Sequence, residues 1–363
     1  VNYQNWYGLL DTRYGYGRHA DGFISNAPKT VKFDGKASVA VYFGLPRDNK
    51  GWWEGAWKSV FTMWETDQLP SWFVRYLPLY DQIIVPCEHN LELFSKYHDN
   101  VSQVHEGVDR KIFYPRDVPR MDRFQFRAAG SLWKRKGLDV LVEVFNKLKL
   151  SDADLTIKAA PHAHDVPTQN LGDNIYLERR WMTEEEQCVW LCQADCFVAP
   201  ARGEGWGLIP TQTISMAVPT IVSLSSGQNE FAHLATGTVS CRKSLAETIG
   251  RWDEPDRDEL ADQMMDHYNN WATKKEQAVV NAEKIKEFSW QKAVKKLVSV
   301  LPEGHLLDTD KWQYSFAYVT VKALKTIKAD IANAEIRQPK DAIFEVTDGQ
   351  YQVLYDSGSV ELV

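Results

Sequence analysis

The residues best placed to do chemistry lie in Gly203-Glu204-Gly205-Trp206-Gly207-Leu208-Ile209-Pro210, followed by Thr211-Gln212. An apolar run, Cys196-Phe197-Val198-Ala199-Pro200, comes before them and reads as a buried strand. A helix-length segment comes after, and a second apolar run begins at Pro219. A carboxylate in a glycine-rich turn, between a strand and a helix start, suits a phosphorylated sugar. Glycines let the backbone approach a ligand, and the free N–H groups of a helix start favour anions. An acidic residue near a helix start also has a plainer use, since it interacts well with the helix dipole. The flanking glycines favour the ligand reading for Glu204.

Two further stretches have the same form. Gly130-Ser131-Leu132-Trp133-Lys134-Arg135-Lys136-Gly137 follows the strand-like run 124–129. Cations at the C-terminal end of a strand face a cleft, where Arg135 and Lys136 would bind phosphate; the plainer reading is a solvated basic cluster before a helix. Tyr14-Gly15-Tyr16-Gly17-Arg18-His19 follows the strand-like run 4–10. Strand, glycine turn and helix start there make a loop for phosphate or sugar, through Gly15 and Gly17.

The elements that must position these loops alternate. Strands are expected at 39–43, 83–86, 124–129, 155–159 and 196–200. Leu138, Leu141, Phe145 and Leu148 share one helical face. Thr183 and Glu186 form a capping box opening a helix through Gln193. Such alternation predicts parallel sheets covered by helices. The fold class expected is α/β, with two doubly wound, Rossmann-like domains facing a cleft where ligands of such sheets sit. The domains are expected at 1–118 and 119–300, with a linker at 115–119. An extension at 301–363 is expected to hold a helix, with Phe316, Val319, Leu324, Ile327 and Ile331 on one face. A β-hairpin at 343–355, turning at Asp348-Gly349, would follow it.

These motifs resemble the retaining glycosyltransferases of family 4, which have the GT-B fold. In that family a Glu opens a Gly-aromatic-Gly-Leu turn, a second acidic residue follows eight positions on, and a Pro begins the next strand. The resemblance covers about residues 1–300, and Gly107-Val108-Asp109 before Phe113-Tyr114-Pro115 resembles the end of the family's first domain. It implies that Glu204 grips the donor sugar's hydroxyls and that the N–H groups of Trp206, Gly207 and Leu208 hold sugar and phosphate oxygens. It also implies that Glu230 lies near the nucleotide. Departures are visible. Gln212 stands where the family has its second Glu, which clamps the ribose; an amide still donates and accepts such bonds. Ser131 stands where the family has an Arg, so Arg135 would supply the second cation. Glu106 replaces an Asn.

The resemblance therefore implies transfer of a hexose, with retention, from a nucleotide diphosphate sugar, UDP-sugar ahead of GDP-sugar, to a hydroxyl acceptor. No metal and no other cofactor is required. The acceptor could be a glycan, a lipid, a protein or a hydroxylated nucleobase in DNA. In place of the family's first-domain His, the stretch 62–70 offers Glu65 and Asp67, either to orient or deprotonate the acceptor or to cap the next helix. Two rival readings remain at this level: a nucleotide-sugar epimerase of the same fold, and a non-catalytic glycan- or nucleic-acid-binding protein.

Composition narrows the classes. With 363 residues, 44% hydrophobic and 25% charged, the chain is globular and long enough for two cores. A net charge of −7 argues against general polyanion binding. There is no apolar run long enough for a membrane-spanning helix and no signal-peptide pattern, and the five cysteines are odd in number. Reduced thiols and a cytoplasmic location are expected. Cys188, Cys192 and Cys196 recur every four residues but fit a helix face and a strand start better than a metal site. His162 and His164 have no third ligand at useful spacing. Of the 14 tryptophans, Trp52, Trp53, Trp57, Trp64 and Trp72 crowd one stretch of the first domain. Trp52, Trp53 and Trp64 are the expected aromatic platform for the acceptor.

Overall fold

A computed structural model describes residues 2–8, 11–47, 56–131, 133–161, 163, 167 and 171–307 in full, and the backbone of strands between 318 and 362. Trp52, Trp53, His162 and His164 lie outside the described residues.

The first sheet contains β1 (Asn2–Gly8), β2 (Val31–Phe33), β3 (Val39–Phe43), β4 (Trp57–Phe61), β5 (Gln82–Val85) and β6 (Val101–Gln103). All pair in parallel, in the order β2-β1-β3-β4-β5-β6. Helices α1 (Gly15–Ser25), α2 (Ser71–Val74) and α3 (Glu88–Phe94) belong to the same unit. Every residue of β3 is buried, as a sheet covered on both faces requires. The order reverses between β1 and β3, so the first turn of α1, which carries Gly15 and Gly17, lies at a switch point.

The second sheet is built from β7 (Phe124–Ala129), β8 (Ala153–Ala159), β9 (Ile175–Arg179), β10 (Cys196–Ala199), β11 (Thr220–Ser223) and β12 (Gly237–Val239). Its parallel order is β12-β11-β10-β7-β8-β9, the Rossmann order. Helices α4 (Leu138–Leu148), α5 (Glu184–Cys192) and α6 (Leu208–Ser215) connect its strands, and the Thr183–Glu186 capping box opens α5. The switch point falls between β7 and β10, whose following loops are the basic stretch and the Glu204 turn. Both loops sit where the expected fold put them.

After β12 the chain forms an antiparallel pair, β13 (Cys241–Leu245) and β14 (Arg251–Pro255), then α7 (Arg257–Asn269), α8 (Trp271–Lys284) and α9 (Trp290–Val300). Although α9 ends the 119–300 stretch, it returns to the first sheet. Trp290, Ala293, Val294, Leu297 and Leu301 share a core with Trp6, Phe23 and Phe43.

The expected helix between 316 and 331 is corrected. Residues there form β15 (Tyr318–Ala323) and β16 (Ile327–Ile331). Val319 and Val321 alternate with Thr320 and Lys322, and this period of two in β-branched residues prevails over the helical spacing. β17 (Ala334–Gln338) pairs with β16, while β18 (Ile343–Thr347) and β19 (Val360–Leu362) flank β15. The expected hairpin at 343–355 therefore holds for one arm only: β18 pairs with β15, and the turn and second arm lie outside the described residues.

Candidate active site

Glu204 is buried at the mouth of the second sheet. Its carboxylate accepts from the Arg135 guanidinium at 3.2 Å and from the Lys136 ammonium. Arg135 also donates to the Gly203 carbonyl at 2.7 Å and lies 3.4 Å from Glu65, which comes from the first unit. Burial alone would push the Glu204 carboxyl up, but Lys136 and Arg135 outweigh it and hold it below the ordinary carboxylate value. Burial acts in the other direction on Lys136, whose ammonium is lowered despite its carboxylate partner. Arg135 is raised, because Glu65 and Glu204 together exceed its desolvation. The result is a cluster of two basic and two acidic side chains spanning the cleft.

The turn around Glu204 is held from several sides. The Ser226 hydroxyl accepts from the Glu204 N–H at 2.8 Å and donates to the Glu204 carbonyl at 2.9 Å. The Gly227 N–H also reaches that carbonyl, at 3.0 Å. Gly207, at φ +120°, is the last residue before α6. A Cβ there would meet the Phe231 ring at 2.9 Å, so only glycine fits. Gly203 is required by proximity: a Cβ would lie 2.3 Å from the Glu65 carbonyl oxygen.

The other expected residues divide into two groups. Gln212 is buried on α6, its carbonyl oxygen accepting from Gln187 at 2.8 Å, and it lines a cleft cavity with Arg18, Leu208 and Glu184. Gly15 is exposed, with no atom within 4 Å of a notional Cβ, whereas Gly17 is buried against the Asp11 carbonyl. The Trp206 side chain is in the core against His105, Phe231 and Phe288. Two carboxylates tie the units together. Asp67 accepts from the Arg251 N–H at 2.6 Å, at the end of the β13–β14 pair. Glu230 accepts from the Glu88 N–H at the start of α3 at 2.6 Å, and from His105 at 3.0 Å. Trp64 is half-buried, packs edge-on to Trp72 and Phe73 and donates to Thr66.

Sequence reasoning missed the clamp of Ser226 on the Glu204 peptide, Arg18 on the cavity that Gln212 lines, and a buried pair of His19 and Glu106 at 2.9 Å. The partners of Ser226 and His19 lie too far away in sequence for any local pattern to show them.

The description "Family 4 Glycosyltransferase in conflict systems" matches residues 91–297, more than half of the chain. The chain belongs to that family. A search of curated proteins returns no match. Among solved structures, WaaG, a glycosyltransferase involved in lipopolysaccharide biosynthesis, superposes with a TM-score of 0.59 at 12% identity, covering 82% of this chain and 98% of that one. Sucrose-phosphate synthase from Thermosynechococcus elongatus gives 0.54 at 15% identity, covering 82% and 72%. TarM gives 0.53 at 14%, covering 72% of this chain and 54% of its own. At such identities the likeness establishes the fold. As a family 4 glycosyltransferase with two Rossmann-like units, the chain is of the nucleotide-sugar-dependent GT-B kind. No described helix is long and apolar enough to cross a membrane, and no three described His, Cys, Asp or Glu side chains group as a metal site.

Proposed function

We propose that this chain transfers a hexose from a nucleotide diphosphate sugar to a hydroxyl acceptor with retention of configuration and without a metal ion. The observation that carries the reading is Glu204, buried and ionised between Lys136 and Arg135 at the switch point of a Rossmann sheet. A carboxylate fixed in this state favours positive charge developing on the sugar ring, and the adjacent cations and the α6 N–H groups favour negative charge developing on the diphosphate. Glu65, reaching Arg135 from the opposite wall, is the residue we assign to the acceptor hydroxyl, with the first unit as the acceptor wall. Asp67 is held by the Arg251 amide and serves the reading less well. UDP is ranked ahead of GDP; trehalose-phosphate synthases described as UDP-forming, which have TM-scores of 0.50 and 0.53 to this chain, support that order.

The test is turnover of UDP- and GDP-sugars with glycan, lipid, protein and hydroxymethylated DNA acceptors, before and after exhaustive chelation. An α-linked product from an α-linked donor, formed at an undiminished rate after chelation, is expected. Inversion at the anomeric carbon, or neither transfer nor hydrolysis of any donor, would sink the proposal. Recovery of a lost rate by manganese would sink its metal-free part.

A further inference from the structure

An antiparallel strand pair leaves every second residue of each strand with its N–H and C=O turned away from the partner. On β14 two such residues, Arg251 and Asp253, are taken by loops of opposite units. The Arg251 N–H donates to the Asp67 carboxylate at 2.6 Å, and the Asp67 N–H donates to the Arg251 carbonyl at 2.9 Å. Two residues along, the Asp253 N–H donates to the Arg202 carbonyl at 2.8 Å, and the Arg202 N–H donates to the Arg135 carbonyl at 2.8 Å. One strand edge thus holds the segment that follows Glu65 and the segment that precedes Glu204. Each contact lies two residues from a carboxylate of the site.

The two ends are anchored unequally. Arg202 is buried, with its guanidinium on Asp139 of α4 at 2.6 and 3.0 Å and on Glu254 of β14 at 3.0 Å. That network fixes β14 to the second unit. Asp67 and Arg251 are exposed. On its own unit, the segment of Asp67 is held by the His89 ring, which donates through Nε2 to the Thr66 carbonyl at 3.2 Å. The fit along the contact is close. A Cβ on Gly250, at φ +72°, would lie 2.6 Å from the Asp67 carboxylate, and one on Gly203 would lie 2.3 Å from the Glu65 carbonyl oxygen. Residues 65–67 are therefore seated on the second unit at both ends, with the Glu65 carboxylate 3.4 Å from Arg135.

We propose that Asp67 is a positioning residue and β14 the strap on which it acts: by pairing with Arg251, it holds Glu65 in register with the Glu204 turn. This rests on the assignment of Glu65 to the acceptor hydroxyl and of Glu204 to the donor sugar. Exposed hydrogen bonds add little to stability. A displacement of about 1 Å at a reacting group, however, can cost about a hundredfold in rate. The strap's effect is therefore on the meeting of the two walls.

The test is transfer from UDP- and GDP-sugars to the acceptor that the wild-type chain uses, measured on the full chain and on Asp67→Ala, Asp67→Asn and Gly250→Ala. Asp67→Ala should lower kcat for transfer by about tenfold or more. Its calorimetric affinity for UDP or GDP should stay near wild type, because Arg202 still holds the Glu204 turn. Asp67→Asn keeps an oxygen that accepts from the Arg251 N–H and should recover most of the loss. Gly250→Ala alters only the second unit's side and should reproduce Asp67→Ala, since its methyl group would crowd the Asp67 carboxylate. In a Glu65→Gln background, Asp67→Ala should cost less than about twofold further, because it acts through Glu65. Wild-type transfer in Asp67→Ala or Gly250→Ala would overturn the strap and leave the transferase reading standing. Asp67→Asn as slow as Asp67→Ala would also overturn it, because the charge would then act directly. So would losses that simply multiply in the double variant, or nucleotide affinity that falls in step with transfer. A wild-type chain that transfers to no acceptor would overturn the transferase reading, and the positioning role with it.

Discussion

At Glu204, burial and ion pairing oppose each other, and pairing prevails. The residue therefore serves both the site and the stability of the turn, a role its motif alone does not reveal. Glu204→Gln should abolish sugar transfer and also destabilise the protein by about 3 kcal/mol, because removing one partner leaves Lys136 half-buried without a carboxylate and Arg135 with Glu65 alone. A variant that keeps wild-type turnover at saturating donor would refute the catalytic assignment. The pH dependence has a definite sign. The folded pKa of Glu204 lies below its ordinary value, so in that window the unfolded chain binds more protons. Stability contributed by Glu204 is present above the ordinary carboxylate value of 4.5 and is lost as pH falls through the folded value. Melting curves between pH 6 and 3 should be less steep with pH for Glu204→Gln than for wild type; parallel curves would contradict the pairing. At this scale the glycine-bounded Glu204 and the basic Lys136 were legible, because strand, turn and charge are adjacent in sequence. The partners of Glu65, Asp67 and Glu230 were not, since each is reached across the cleft and no local period encodes which wall faces which.

Elements were legible wherever one period dominated. The apolar runs became β3, β5, β7 and β10, and Thr183 with Glu186 capped α5 as their spacing required. The β13–β14 pair escaped notice because Cys241-Arg242-Lys243-Ser244-Leu245 carries hardly any apolar alternation and depends on its partner for register. In 318–331 two periods competed, and the β-branched one won. Helix α7 shows how an element is secured by something other than an apolar stripe. His267, fully buried, bonds to the Gln263 carbonyl at 2.7 Å and to the Thr236 hydroxyl at 2.8 Å. Burial lowers its pKa from 6.5 to about 4. The unfolded chain thus binds a proton between those values that the folded chain refuses. Stability from this group is complete above about pH 6.5 and falls as pH drops toward 4, by about 3 kcal/mol in all. In His267→Gln the wild-type loss of melting temperature between pH 7 and 4.5 should shrink. A variant with the same pH slope as wild type would mean that His267 is not the group responsible.

At the scale of the whole molecule, the two units are joined by more than a linker. Val108 donates to the Phe288 carbonyl at 2.9 Å, and the chain then crosses back so that α9 completes the first core. Trp290 is central to that return. Its ring meets Phe23 edge-on at a centroid distance of 5.2 Å, and it would lie 2.3 Å from a Cβ placed on Gly22 of α1. Trp290, Val294 and Leu297 fall at helical spacing, but the spacing does not say which core they close. The hydrophobic face announces burial and gives no address. Truncating such a large buried ring typically costs about 3–5 kcal/mol. Here the loss falls on the first unit alone, since the Rossmann core around Phe126, Leu155 and Val198 does not include Trp290. Wild-type protein should therefore melt in one calorimetric transition, with the Glu65–Arg135 and Asp67–Arg251 contacts coupling the units. Trp290→Ala should split it, the first unit unfolding at the lower temperature. Added UDP or GDP should shift the upper transition more than the lower, because the Glu204 turn, the basic loop and Gln212 all belong to the second unit. A single transition at the wild-type temperature in Trp290→Ala would show that α9 is not what holds the first unit together.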